Sequence, residues 1–181
     1  MTIPNYITLF RILLVPVFFT ALVSYETGQE WLRWTAFACF LTASLTDAVD
    51  GLAARVMQKY SELGRFLDPL ADKLLLLSGF LGLLFVQGFP YTPPLWVTVT
   101  IVFRDMVIVI GIVVIFFVSG KLQIQPNFLG KVTTAFQMGT LVAILLFWPI
   151  AIPLWYVTVA LTIVSCLSYV VREMKLLNSH A

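Results

Sequence analysis

The sequence predicts an all-α protein threaded through a bilayer by six helices, and three observations carry that expectation. Sixty per cent of the 181 residues are hydrophobic, 11% are charged and mean hydropathy is +0.98, a balance typical of integral membrane proteins rather than soluble domains. The apolar residues fall into six stretches close to the about 20 residues that a spanning helix needs. Between the second and third stretches the pattern is broken by four aspartates, Asp47, Asp50, Asp68 and Asp72, and ionised groups in such a setting are expensive and mark function.

The six spans read as roughly 8–25, 32–53, 66–87, 94–118, 131–149 and 152–172. The first follows Met-Thr-Ile-Pro-Asn-Tyr, which lacks a basic n-region, and no small-residue cleavage site follows it, so the span is expected to be retained. The second runs into the acidic segment and the third leaves it. Gly88-Phe-Pro90-Tyr-Thr-Pro93-Pro94 separates the third from the fourth, which carries Arg104-Asp105. The fifth opens at Gly130-Lys131, and Trp148-Pro149 to Pro153-Leu-Trp155 predicts a tight hairpin with interfacial tryptophans before the sixth. Cys39 and Cys166 lie inside spans and read as packing residues rather than a disulfide or metal pair. With no internal repeat, no low-complexity tract and no room for a soluble module, residues 1–181 are expected to form one membrane domain.

Loop charge sets the expected orientation. With the N-terminus in the cytoplasm, the inner segments hold Arg55, Lys59, Arg65, Lys121, Lys131, Arg172 and Lys175, and the outer ones only Arg33 beside Glu26 and Glu30. The acidic cluster and both chain ends then face the cytoplasm, at the inner membrane.

Asp47 and Asp50 are three residues apart and Asp68 and Asp72 four apart, spacings that place each pair on one helical face. Hard oxygen donors of this kind suit Mg²⁺ or Mn²⁺, which take one or two carboxylates each and complete their shells with water and phosphate oxygens. Four aspartates match two ions, and two ions about 3.5 to 4 Å apart clamp the attacking and leaving oxygens of a phosphoryl displacement. Gly51, Ala54 and Gly64 remove bulk where a diphosphate ligand could approach the backbone, while Arg55 and Arg65 supply charge for its oxygens.

At these residues the chain resembles a known family. Asp47, Asp50, Gly51, Ala54, Arg55, Gly64, Asp68 and Asp72 meet every fixed position of D-x2-D-G-x2-A-R-x8-G-x3-D-x3-D, the signature of the CDP-alcohol phosphatidyltransferases. The resemblance implies a six-helix membrane enzyme, commonly a homodimer, with a polar cavity facing the cytoplasmic leaflet. Ile3-Pro4-Asn5-Tyr-Ile-Thr8-Leu-Phe-Arg11 and Gly130-Lys131-Val-Thr133-Thr134-Ala-Phe-Gln137 are similar to the branches that make phosphatidylglycerophosphate or, by the CDP-alcohol route, cardiolipin. Arg104-Asp105 and Ile124-Gln-Pro126 lean toward the cardiolipin branch.

The resemblance thus implies transfer of a phosphatidyl group from CDP-diacylglycerol to sn-glycerol 3-phosphate, with release of CMP; phosphatidylglycerol is the alternative acceptor. Asp47, Asp50, Asp68 and Asp72 are the expected metal ligands, and Asp72 is also the expected general base. Gly51, Ala54, Arg55, Gly64, Asn5 and Thr8, with Asp47 and Asp50, are the expected donor site; Arg104, Lys131 and Arg65 are the expected acceptor site. No nucleic-acid partner is expected.

Each assignment has a plainer rival. The aspartates could be helix-end charges, as Lys59 and Glu62 are expected to be. Arg104 could pair with Asp105 or hydrogen-bond a neighbouring helix, Lys131 could be a topology signal, and Asn5, Thr8 and Arg11 could cap and anchor the first helix. A divalent-cation transporter would also carry intramembrane acids, but it needs neither the Gly-x2-Ala-Arg cradle nor acids confined to one side.

Overall fold

The described residues form six helices: α1 (Ile3–Val23), α2 (Glu30–Met57), α3 (Glu62–Gly82), α4 (Leu95–Ser119), α5 (Phe128–Leu145) and α6 (Ala151–His180). There is no strand among the described residues. The computed structural model describes the backbone of residues 3–57, 62–119 and 128–180, and side chains over 8–46, 71–111 and 128–171. Lys59, Lys121 and Ile124-Gln-Pro126 lie outside the described residues.

Every expected apolar stretch is helical, and the differences are at the ends. The helices reach further into the acidic segment than hydropathy alone suggests: α2 continues to Met57 and α3 begins at Glu62, so Arg55, Gly64 and Arg65 stand on helical backbone. A hydropathy ruler stops at the first charges, whereas the hydrogen-bond ladder does not. Helix α3 ends at Gly82, short of the expected 87, because Leu84 N–H and Phe85 N–H turn back to the carbonyls of Leu81 and Gly82 at 3.1 and 3.0 Å, tightening the last turn. Helix α1 begins at Ile3, which puts Asn5 inside the first turn rather than at a cap.

The contacts divide the chain into two compact units, Met1–Thr92 with Ile144–Trp148, and Pro93–Ala143 with Pro149–Ala181. In the first, α1 packs on α2 and α3, and α2 on α3. The buried face of α1 runs through Phe18, Ala21, Leu22 and Tyr25; it meets Ala36, Phe40 and Ala43 of α2 and Ala71, Leu75, Leu76 and Phe80 of α3 are buried likewise. Phe18 and Phe40 stack at 5.6 Å between centroids. A Cβ on Gly82 would sit 2.7 Å from Leu22 Cδ2, so glycine lets α3 approach α1 closely.

The end of this unit around Tyr25 is held by rings and one arginine. Tyr25, Phe89 and Phe147 meet edge to face, with centroids 4.9 Å apart for Tyr25–Phe89 and for Phe89–Phe147. Phe147 adopts a positive φ of 57°, which closes the turn after α5 onto the Ile144 carbonyl at 3.0 Å. Arg33 lies over its ring at 4.4 Å, bonds Glu30, and donates from Nη1 to the Leu145 carbonyl at 2.9 Å, satisfying an end-of-helix acceptor. The expected hairpin after α5 is present; Trp148 is exposed, but Trp155 is buried instead of interfacial.

In the second unit α4 packs on α6. Its buried residues combine apolar side chains such as Val97, Ile101, Leu141 and Trp155 with a set of polar ones. Thr98, Arg104 and Asp105 of α4, Thr133, Gln137 and Thr140 of α5, and Thr158, Thr162 and Ser165 of α6 are all buried, while Val99, Phe103, Met106, Ile110, Ile163 and Leu167 are exposed. Thr140 and Thr158 share a hydrogen bond of 2.8 Å, and Thr133 Oγ1 lies 3.3 Å from the Leu161 carbonyl. Small hydroxyl residues between helices and large apolar ones outside are what a lipid solvent selects. Among the described residues, Phe128–Leu145 and Ala151–Val171 are each long and apolar enough to cross a membrane. Both cysteines are free thiols, as expected.

Candidate active site

The two aspartate pairs stand on two helices that pack together. Asp47 and Asp50 are on the last turns of α2, Asp68 and Asp72 on the first half of α3. Gly51, Ala54 and Arg55 share the α2 backbone with the first pair; Gly64 and Arg65 precede the second. The side chains of Asn5, Asp47, Asp50, Gly51, Ala54, Arg55, Gly64, Arg65 and Asp68 lie outside the described residues, so for these the finding is the helical backbone that the spacing needs. Hard carboxylate oxygens at those spacings fit Mg²⁺ or Mn²⁺ by donor chemistry. Among the described residues no three His, Cys, Asp or Glu side chains come together.

Asp72 is the member of the quartet whose side chain is described. Its Oδ1 accepts a hydrogen bond from Arg11 Nη1 at 3.2 Å. The arginine is fully buried, whereas the aspartate side chain keeps 26% of its surface. Thr8, one turn before Arg11 on the same face of α1, is buried too. In the sequence Arg11 stands only as part of an opening signature and as an anchor; its pairing with a carboxylate 61 residues away has no sequence signal beyond the oddity of an arginine inside an apolar run.

Arg104 takes the role of its plainer rival. Nη1 donates to Asp105 Oδ1 at 2.7 Å and Nη2 to Ser165 Oγ of α6 at 2.9 Å, and the whole group is buried. Lys131, in the first turn of α5, is exposed, and no described hydrogen bond or ion pair occupies its ammonium. No described contact joins Arg104 to Lys131. The arginine and the lysine expected at one acceptor site are thus in different circumstances, one spent on a helix contact and one available. Gln137, the last residue of the α5 motif, is fully buried, and both atoms of its side-chain amide lack a hydrogen-bond partner.

Paired aspartates on adjoining helices are a donor set suited to phosphoryl-group transfer. Residues 1–169 match the sequence profile of the CDP-alcohol phosphatidyltransferases, and the chain belongs to that family. It is similar to a probable phosphatidylglycerophosphate synthase of Mycobacterium tuberculosis, 36% identical over 94% of this chain and 81% of that protein. It is 31% identical to a CDP-diacylglycerol–glycerol-3-phosphate 3-phosphatidyltransferase of Bacillus subtilis, over 98% of this chain and 97% of that one. A cardiolipin synthase (CMP-forming) of Streptomyces coelicolor is 34% identical over 74% of this chain and 60% of its own length.

Proposed function

We propose that the protein transfers the phosphatidyl group of CDP-diacylglycerol to sn-glycerol 3-phosphate, giving phosphatidylglycerophosphate and CMP. The observation that carries the acceptor is the pair of relatives matched along nearly the whole chain, whose names specify this product or this reaction. Relatives named cardiolipin synthase (CMP-forming) are matched over 74% and 96% of this chain but only 60% and 58% of their own lengths, and they keep phosphatidylglycerol as the second reading.

In the proposed reaction the acceptor hydroxyl loses its proton to Asp72, its oxygen bonds the lipid-side phosphorus of the diphosphate, and the bond from that phosphorus to the bridging oxygen breaks, releasing CMP. Two Mg²⁺ or Mn²⁺ ions held by Asp47, Asp50, Asp68 and Asp72 would supply charge neutralisation at the diphosphate. Gly51, Ala54, Gly64, Arg55, Asn5 and Thr8 are assigned to the donor, the small residues by close approach and Arg55 by charge. Lys131 and Arg65 are assigned to the acceptor phosphate. Arg104 is assigned to holding α4 against α6, because both of its Nη atoms are engaged there.

The reading includes six membrane spans, a cavity open to the cytoplasmic side and a homodimer. It is supported by helix lengths of 18 to 30 residues, about 27 to 45 Å at 1.5 Å per residue, against a hydrocarbon core of about 30 Å. Exposed Leu13, Val17, Phe85, Phe103 and Leu167 suit lipid contact. In this setting the donor's acyl chains stay in the bilayer while its head group reaches the aspartates. The test is CMP release by purified protein given CDP-diacylglycerol and either acceptor: turnover with glycerol 3-phosphate supports the reading, and turnover with phosphatidylglycerol alone replaces it with the second.

A further inference from the structure

Among the described residues two ion pairs hold a deeply buried arginine, and they differ in one respect. Arg104 and Asp105, neighbours on α4, are both sealed, 3% exposed each. In the other pair Arg11 is sealed and Asp72 is not, at 0% and 26%. A guanidinium buried in an apolar bundle carries a heavy desolvation cost, and a leucine on the same face of α1 would continue the Phe18 and Leu22 stripe without it. A sealed cation behind a carboxylate that stays open on its other side is the arrangement of a support rather than a rivet.

We infer that Arg11 is a positioning residue for the reaction: its guanidinium, carried in from α1, fixes the rotamer of the Asp72 carboxylate on α3 so that an oxygen is aimed at the acceptor hydroxyl. The inference rests on Asp72 being the base. In the step it serves, the hydroxyl O–H breaks with its proton passing to Asp72, the oxygen's electron pair forms the new P–O bond, and CMP leaves with the electron pair of the old one. The proton then passes from Asp72 to solvent. Arg11 neither gives nor takes a proton. Thr8, buried one turn earlier, belongs to the same supporting face.

The test is steady-state kinetics on Arg11→Met, Arg11→Lys and Asp72→Asn, with thermal unfolding of each in detergent with and without CDP-diacylglycerol. A general base contributes about 10² to 10⁴ in rate, so loss of its aim is expected to lower kcat about 10²-fold in Arg11→Met. KM for both substrates should stay within about threefold, and the donor-induced rise in unfolding temperature should persist. Arg11→Lys, which restores a cation and one N–H bond, should recover about tenfold or more of the lost kcat. Loss of donor stabilisation together with kcat, or no gain from lysine, overturns the inference in favour of a merely structural pair. If Arg11→Met does not fold, Arg11→Lys decides: reduced kcat at unchanged KM supports positioning, and a raised donor KM or unchanged kcat overturns it. Wild-type kcat in Asp72→Asn would remove the base and the inference with it. An inactive Asp72→Asn beside a fully active Arg11→Met would remove the inference alone.

Discussion

Arg104 Nη1 donates to the carboxylate of Asp105, its neighbour in the chain, at 2.7 Å. Adjacent helical positions do not normally face each other, so the contact depends on the long arginine bending round to a carboxylate that is itself buried. Nη2 then reaches Ser165 of α6. Both Nη atoms are thus engaged within α4 and α6, contacts that suit a role in stability.

Arg104→Met should therefore destabilise the protein by about 3 to 5 kcal/mol, the usual result of stranding one member of a buried pair. Arg104→Met combined with Asp105→Leu should regain most of that, since an apolar pair of similar volume needs no compensation. Denaturant unfolding in detergent measures both. A raised KM for glycerol 3-phosphate at unchanged stability in Arg104→Met would return the residue to the acceptor site.

Turnover is expected to need Mg²⁺ or Mn²⁺ and to vanish in excess chelator, returning when the ion is restored. Asp47→Asn and Asp68→Asn each remove one charge from a balance of four carboxylates against two divalent ions, so metal occupancy and rate should both fall. Full activity with chelator present would rule out the two-metal reading.

Lys131 should govern the acceptor alone. Its exposed ammonium at the start of α5 can make a charge-assisted bond to a phosphate monoester, worth about 1.5 to 3 kcal/mol. Lys131→Ala is thus expected to raise KM for glycerol 3-phosphate by about tenfold or more and leave that for CDP-diacylglycerol nearly unchanged. Unchanged acceptor KM would leave Lys131 with topology as its role.

Gly51→Leu and Asp72→Asn should separate donor entry from chemistry. A leucine beside Asp50 fills the space proposed for the diphosphate and should abolish binding of CDP-diacylglycerol, whereas Asp72→Asn should bind it and fail to turn it over. Equal loss of CDP affinity in the two variants would mark Asp72 as one more ligand.

The helices, their order and the family were legible in the sequence because each depends on local or fixed-offset information. An apolar stretch such as 94–118 satisfies its own backbone, and Asp47 through Asp72 spell a motif whose spacing is readable without coordinates. Tertiary structure decided the partners. Arg11 meets Asp72 and Arg104 meets Ser165, in each case across 61 residues, and no periodicity connects such positions. The same holds for Arg33, whose hold on Glu30 could be guessed from i, i+3 spacing but whose bond to the Leu145 carbonyl could not. Burial also separated Arg104 from Lys131, two cations that look alike on paper. Which side chain a buried charge must find depends on helix packing, and in a bundle of apolar helices the sequence of any one helix is compatible with many neighbours; the desolvation of a charge with no partner leaves few of them.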